Sequence, residues 1–171
     1  MQTATAPTLE NDRVRLRAYV LADFEAFAEL LSSERARYID GPVDREDAWD
    51  LFASGAGRWQ LVGYGAWTIE RRETGQPAGF VSLNYPIIEN EKELGYGLYA
   101  DFEGRGYATA AARLALDYAR DQLGWRDCVS YISKDNPASI RLAERIGAVF
   151  DPNTISPEDD NTLVYRHTLA P

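Results

Sequence analysis

The stretch that most limits what this chain can fold into runs from Glu93 to Leu123. It opens as a strand carrying two glycines, ELGYGLY (Glu93 to Tyr99), and passes through a bare turn, EGRGYA (Glu103 to Ala108). It then enters a proline-free, alanine-rich run, TAAARLALDYARDQL (Thr109 to Leu123). Ala111, Leu114, Ala115, Tyr118 and Ala119 fall on one stripe of that run at helical spacing, and Gly124 sits where a C-terminal cap belongs. A strand that leads through glycines straight into a helix exposes unpaired N–H groups at the positive end of the helix dipole, where phosphates bind readily. The spacing rules out two familiar phosphate motifs. No Gly-Lys-Ser/Thr ending is present, and the nearest approach to GxGxxG, Gly95 to Ala100, lies in the strand before the turn.

The flanking sequence sets the frame around this unit. Val14 to Tyr19 alternates as a half-buried strand does, Ala22 to Leu31 places Phe24, Phe27, Leu30 and Leu31 at helical spacing, and Asp44 to Phe52 reads as a second helix. Gly65 to Glu70 and Ala78 to Ile88 are strands joined by the polar turn Arg71 to Gln76, an antiparallel hairpin. After the long helix, Cys128 to Ser133 is a strand. Asn136-Pro137 opens a short helix that Gly147 closes, Val149-Phe150 begins another strand, and Thr162 to Thr168 is the last. The order is one strand, two helices, three strands, helix, strand, helix, two strands. It implies a mixed sheet with helices on its faces, neither doubly wound nor a barrel.

Length and charge exclude several classes. With 171 residues and 45% hydrophobic content the chain fits one domain, and no linker or repeat divides it. A net charge of -9 repels nucleic acid and anionic lipid and favours cationic partners, although solubility alone is reason enough for it. One cysteine, Cys128, allows no internal disulfide. No secretory leader or apolar membrane span is seen, so the expected setting is the cytoplasm. One Cys and one His without ligand spacing make a metal site unexpected. His167, the sole histidine, has no nucleophile elbow to serve.

Three segments, in order, carry a resemblance. Gly104-Arg105-Gly106-Tyr107-Ala108, between the Glu93 strand and the alanine-rich helix, resembles the acetyl-CoA pyrophosphate loop of the GNAT superfamily of N-acetyltransferases. Asn136-Pro137-Ala138-Ser139 with Glu144-Arg145-Ile146-Gly147-Ala148 is similar to the motif that follows it in that superfamily. The opening, Leu9 to Arg17, resembles the start of the ribosomal-protein N-terminal (alanine/serine) acetyltransferase subfamily.

The resemblance implies a single N-acetyltransferase domain over residues 8–169. Its fold class would be α/β (α+β), with a mixed, mostly antiparallel sheet of about seven strands, splayed between the Glu93 and Cys128 strands, and helices on both faces. It implies acetyl-CoA as co-substrate, with the backbone near Leu98 and Ala100 pairing with the pantetheine arm. Amides from Gly104 to Thr109 (Gly104, Arg105, Gly106, Tyr107, Ala108, Thr109) would hold the pyrophosphate, and Asn136 would reach the pantetheine. Many members carry Gln or Arg where this chain has Glu103, which is expected to point away from the ligand.

The implied reaction is direct attack of a neutral amine on the thioester, the enzyme positioning both substrates and moving the protons. Ser139 is the candidate for contacting the departing thiolate, and it could equally satisfy only the first helical turn. Glu93 is the candidate base through a water, with a solvated strand end as its plain alternative. Tyr96 and Tyr99 could donate a proton, yet at strand spacing they read as core, as do Trp49, Trp59 and Trp67. The acceptor would be an amine, either a protein N-terminus or a small molecule. Homodimer pairing through edge strands is conceivable. Alternatives are a small-molecule (antibiotic or polyamine) acetyltransferase, marked by an enclosed acidic pocket, and a non-catalytic acyl-CoA-binding module.

Overall fold

The computed structural model describes residues 5–85, 91–157 and 159–169. Its strands are β1 (Leu9–Glu10), β2 (Val14–Arg17), β3 (Ala66–Arg71), β4 (Pro77–Asn84), β5 (Glu93–Leu98), β6 (Asp127–Ser133), β7 (Val149–Phe150) and β8 (Thr162–Thr168). They form one eight-stranded sheet in the order β1-β2-β3-β4-β5-β6-β8-β7, antiparallel at every junction except β5–β6. The mixed, mostly antiparallel sheet is thus the expected one, with eight strands where about seven were read. The additional strand is β1, whose two residues are too short to show a period. The expected strand over Ala78 to Ile88 is β4; it ends at Asn84, and residues 86–88, like Glu158 of the acidic loop, lie outside the described residues.

Helices cover both faces. Helix α3 (Tyr107–Asp121) lays Ala111, Ala112, Ala115 and Ala119, all fully buried, against a core that includes Leu16, Trp67, Ile69, Val81 and Leu94. Small side chains let the helix axis approach the sheet closely, and the sheet supplies the bulk. Trp67 meets Trp59 and Tyr118 edge-on, with ring centroids 4.5 and 5.5 Å away. The other face carries α1 (Phe24–Ser32) and α2 (Arg45–Val62), whose Phe24, Phe27 and Phe52 pack with Phe80 of β4. Gly97 of β5 is explained on this face, because a Cβ there would stand 2.7 Å from the Phe80 ring and 2.9 Å from Ile39.

Helix boundaries differ from the sequence reading, most of all the end of α2. Helix α2 runs to Val62 rather than Phe52, passing through Gly55 and Gly57, which lower local helix propensity. Its far half is held by tertiary contact: Trp59 is buried and its Nε1 donates to Ala66 O at 2.9 Å. Asp44 caps its start, accepting from the amides of Glu46 and Asp47. Helix α3 begins two residues earlier than read, at Tyr107, directly on Gly106. Trp49, read as core with Trp59 and Trp67, is instead 43% exposed, on the outer side of α2 against Phe24.

An ionic knot joins the α1–α2 layer to the sheet. Asp23, just before α1 and 3% exposed, accepts from Arg17 Nη1 at 2.7 Å and Nη2 at 2.9 Å, from Thr68 Oγ1 at 2.8 Å and from the Val20 amide at 3.0 Å. Arg17 also binds Glu70. Burial raises the Asp23 carboxyl, but the Arg17 fork, the Val20 amide and the Thr68 hydroxyl outweigh it and hold the group below its ordinary value.

Candidate active site

Strands β5 and β6 meet at a single residue pair, Glu93 with Val129, and then part. The Val129 amide donates to Lys92 O at 2.8 Å, and Tyr99 N donates back to Ala78 O of β4 at 2.9 Å. Even-numbered residues of β5 therefore turn their main-chain groups toward β6 and odd-numbered ones toward β4. By the two-residue strand period, Tyr96 and Leu98 face the opening with no strand opposite. The cleft has a volume of about 540 Å3, and Glu93, Tyr96, Ser130, Asn136 and Ser139 are in its lining.

The residues expected at the site fall into three places. Glu93 stands half-buried at the head of β5, at the point of divergence. Ser139 and Asn136 form the start of helix α4 (Pro137–Arg145), where Asn136 Oδ1 accepts from Ser139 N at 3.2 Å and Asn136 Nδ2 donates to Ser139 Oγ at 3.0 Å. The capping role and a place in the cleft thus coincide. Leu98 and Ala100 lie at the far end of β5 and lead to the loop Gly104–Thr109.

In that loop Gly104 and Gly106 both have positive φ, 70° and 80°. The side chains of Tyr107 and Ala108 are buried, so only their backbone amides can serve a ligand. Helix α3 has no side-chain cap and no acidic residue in its first turn, whereas α2 has a capping Asp and two acids. Its first N–H groups are thus left for an anion. Arg13, from the β1–β2 turn, donates to Arg105 O at 2.6 Å and steadies the loop from behind. The loop chemistry fits the pyrophosphate of a coenzyme A group. Glu103 pairs with Arg35, which satisfies the carboxylate beside this loop.

Tyr96, read as core, reaches the cleft, and its hydroxyl donates to Ser139 O at 3.3 Å. Burial pushes its pKa up to about 12, so it stays protonated and able to donate. Tyr99 keeps to the apolar layer with Ile39 and Phe80, and burial raises it further.

Three cleft residues escaped the sequence reading, Tyr38, Asp40 and Ser130, and behind Ser130 lies His167, which was read only as lacking a nucleophile to serve. Tyr38 Oη donates to Asp135 O at 2.9 Å, tying the turn between α1 and α2 to the β6–α4 loop. Asp40 follows it with φ of 55°, at the cleft. The cluster Asp40-Gly41-Pro42 is a turn signal that sequence could have offered; nothing local marks the others.

His167, 2% exposed, has Nε2 3.0 Å from Ser130 Oγ. Because Ser130 Oγ also donates to Leu94 O at 2.8 Å, its only proton is committed there, so His167 carries its proton on Nε2 and Nδ1 is left without a partner among the described residues. This is not a nucleophile with its base, since the hydroxyl proton is aimed at a carbonyl. Burial lowers the His167 pKa to about 4. The unfolded chain takes up that proton near its ordinary 6.5 and the folded chain resists until about 4. Stability is therefore full above 6.5 and falls by roughly 3 kcal/mol as pH drops through 4. Urea unfolding at pH 7 and pH 4 should show a smaller acid loss in His167→Gln than in wild type; equal losses would place the acid sensitivity in the carboxylates.

The comparisons agree with this geometry. A family model described as "Acetyltransferase (GNAT) domain" matches residues 13–149, and the chain belongs to that family of acetyltransferases. A crystal structure of an acetyltransferase from Agrobacterium tumefaciens is 39% identical with a TM-score of 0.88, over 95% of each chain. The Bacillus subtilis protein YkkB, described as uncharacterized, is 31% identical over 143 residues, covering 81% of this chain and 83% of its own. RimL, described as a ribosomal L7/L12 alpha-N-protein acetyltransferase and solved with coenzyme A, is 19% identical. It shares the fold with a TM-score of 0.76 over 95% of this chain and 98% of its own. Among the described residues, no helix is long and apolar enough to cross a membrane.

Proposed function

We propose that residues 8–169 form one acetyl-CoA-dependent N-acetyltransferase domain, working in the cytoplasm, whose acceptor is a small amine carrying more than one positive charge. The observation that carries the acceptor class is the charge of the cleft. Among the described residues, Asp40, Glu93, Asp135 and Asp159 line it against a single cation, Arg37. Tyr38 and Asp135, both in its lining, are joined by a hydrogen bond between the α1–α2 turn and the β6–α4 loop. Carboxylates on separate segments of the chain favour an acceptor with separated ammonium groups. A protein N-terminal amine, as in the ribosomal-protein subfamily, is the second reading, supported by the likeness to RimL.

Acetyl-CoA, when bound, supplies an activated acyl group as its thioester. Amides of Gly104 to Thr109, at the start of α3, hold the pyrophosphate, and the open β5 edge at Leu98 with the backbone near Ala100 receives the pantetheine arm, which Asn136 reaches from α4. Glu93 draws a proton from the acceptor ammonium through a water, so that the neutral amine attacks the thioester directly. Ser139 and the Tyr96 hydroxyl converge at the start of α4, where a proton is returned to the leaving thiolate.

Thiol release measured across diamines, monoamines and N-terminal peptides tests the reading. Diamines should be preferred, and Asp40→Asn should raise their KM roughly tenfold with little effect on monoamines. Preference for peptides, with no response to Asp40→Asn, would transfer the function to the second reading. No turnover of any amine by a protein that binds acetyl-CoA would favour the non-catalytic module.

A further inference from the structure

The apex of the cleft holds a buried polar relay that the reaction outlined above does not use. Where β5 leaves β6, Leu94 O loses its neighbouring strand and would be an orphaned carbonyl in the core, since Leu94 is 1% exposed. Ser130 Oγ reaches across from β6 and donates to it at 2.8 Å. Ser130, itself 3% exposed, is held from the next strand by His167 Nε2 at 3.0 Å. The arrangement leaves the buried Nδ1 of His167 unsatisfied among the described residues, a cost that an apolar residue would avoid.

Support for Leu94 O alone would need only the serine. A second polar side chain behind it fixes the direction of the serine oxygen and, through it, the place where β5 turns away. Two residues along the same strand edge, the Tyr96 amide is the first main-chain N–H beyond the divergence that faces the opening. A carbonyl in the cleft would meet this donor first.

We propose that Ser130 and His167 are positioning residues. They pin the Leu94 carbonyl so that β5 diverges at one fixed point and the Tyr96 amide is aimed at the thioester carbonyl oxygen. The inference rests on the acetyl-CoA reading above. A donor fixed in that place stabilises the oxygen as negative charge develops on it during attack, without moving at the moment of reaction. Loss of the pin should therefore affect the transition state more than the binding of the cofactor's remote parts.

The test uses acetyl-CoA labelled with carbon-13 at the acetyl carbonyl, whose resonance moves downfield when that oxygen accepts a hydrogen bond. Wild type should bind it with a downfield shift. Ser130→Ala should bind within about threefold of wild type yet lose most of that shift, and Ser130→Thr, which keeps the hydroxyl, should restore it. With an amine that wild type turns over, Ser130→Ala should lower kcat roughly tenfold at nearly unchanged KM for acetyl-CoA. If Ser130→Ala does not fold, Ser130→Cys, close in size and a weaker donor, carries the same comparison. A shift retained in the variant, or absent in wild type that binds, overturns the proposal. Failure of folded wild type to bind at all overturns instead the acetyl-CoA reading beneath it.

Discussion

Replacing Asp23 by alanine should destabilise the fold by about 3–5 kcal/mol, as expected when one partner of a buried ion pair is removed. Four donors converge on that carboxylate: both terminal nitrogens of Arg17, the Thr68 hydroxyl and the Val20 amide. Its removal leaves a guanidinium at the edge of the core with, among the described residues, only Glu70 and the Ala18 carbonyl to receive it, and leaves the Thr68 hydroxyl, on a residue 1% exposed, without that acceptor. For a chain of this length the melting temperature should fall by roughly 6–20 °C. Chemical unfolding at pH 7 measures it directly, and a loss below about 1 kcal/mol would show that Glu70 and water compensate for the missing group. The same carboxylate titrates below its ordinary value, so its contribution is full above that value and fades as pH falls through the lowered one. The knot also fixes how α1 and α2 sit on the sheet. A weakened variant should lose acceptor affinity before it loses the cofactor loop, which is held by α3 and by Arg13.

Gly106→Trp should lower acetyl-CoA affinity by more than about a hundredfold while the protein remains folded. Gly106 is the residue from which α3 begins, with φ of 80°, a conformation costing an L side chain on the order of 1 kcal/mol. A Cβ there would point at the Arg13 guanidinium, 3.8 Å away, so a bulky group must push Arg13 from the Arg105 carbonyl and turn the loop amides out of line. Gly106→Ala separates strain from bulk and should lose only several-fold. Calorimetry on the three proteins decides. If the tryptophan variant binds within a few-fold of wild type, the pyrophosphate is not held by this loop. Wild type that fails to bind would remove the cofactor reading altogether.

The fold was legible where a period or a cap is local. Strands β2, β3, β5, β6 and β8 show alternation or apolar runs. The α3 boundary follows from glycines at both ends, and α4 from Asn136-Pro137. Helix α2 was cut short because Gly55 and Gly57 depress propensity, whereas the burial of Trp59 depends on a sheet that sequence does not display. The same division runs through the site. The loop Gly104–Thr109 is contiguous and could be read from a dozen residues. The rest of the site is assembled from distant pieces: Arg35 with Glu103 at a separation of 68 residues, Tyr38 with Asp135 at 97, and Ser130 with His167 at 37. No local pattern encodes such pairs, because each exists only once the sheet has set its register.

The parting of β5 and β6 also bears on how the molecule behaves in a crowd. An open sheet ordinarily exposes two edges to other chains; a sheet split partway along one junction gains two more, in its interior, each with main-chain groups ready for a foreign strand. Here Tyr38, in the turn between α1 and α2, donates to Asp135 O in the loop after β6, and both line the same cleft as Gly95 of β5. A flexible ligand arm can slide into such a slot, but a second β-strand, with side chains on both faces, is obstructed. The edge that the proposed chemistry requires is thus bordered by a hydrogen-bonded turn rather than left open along its whole length.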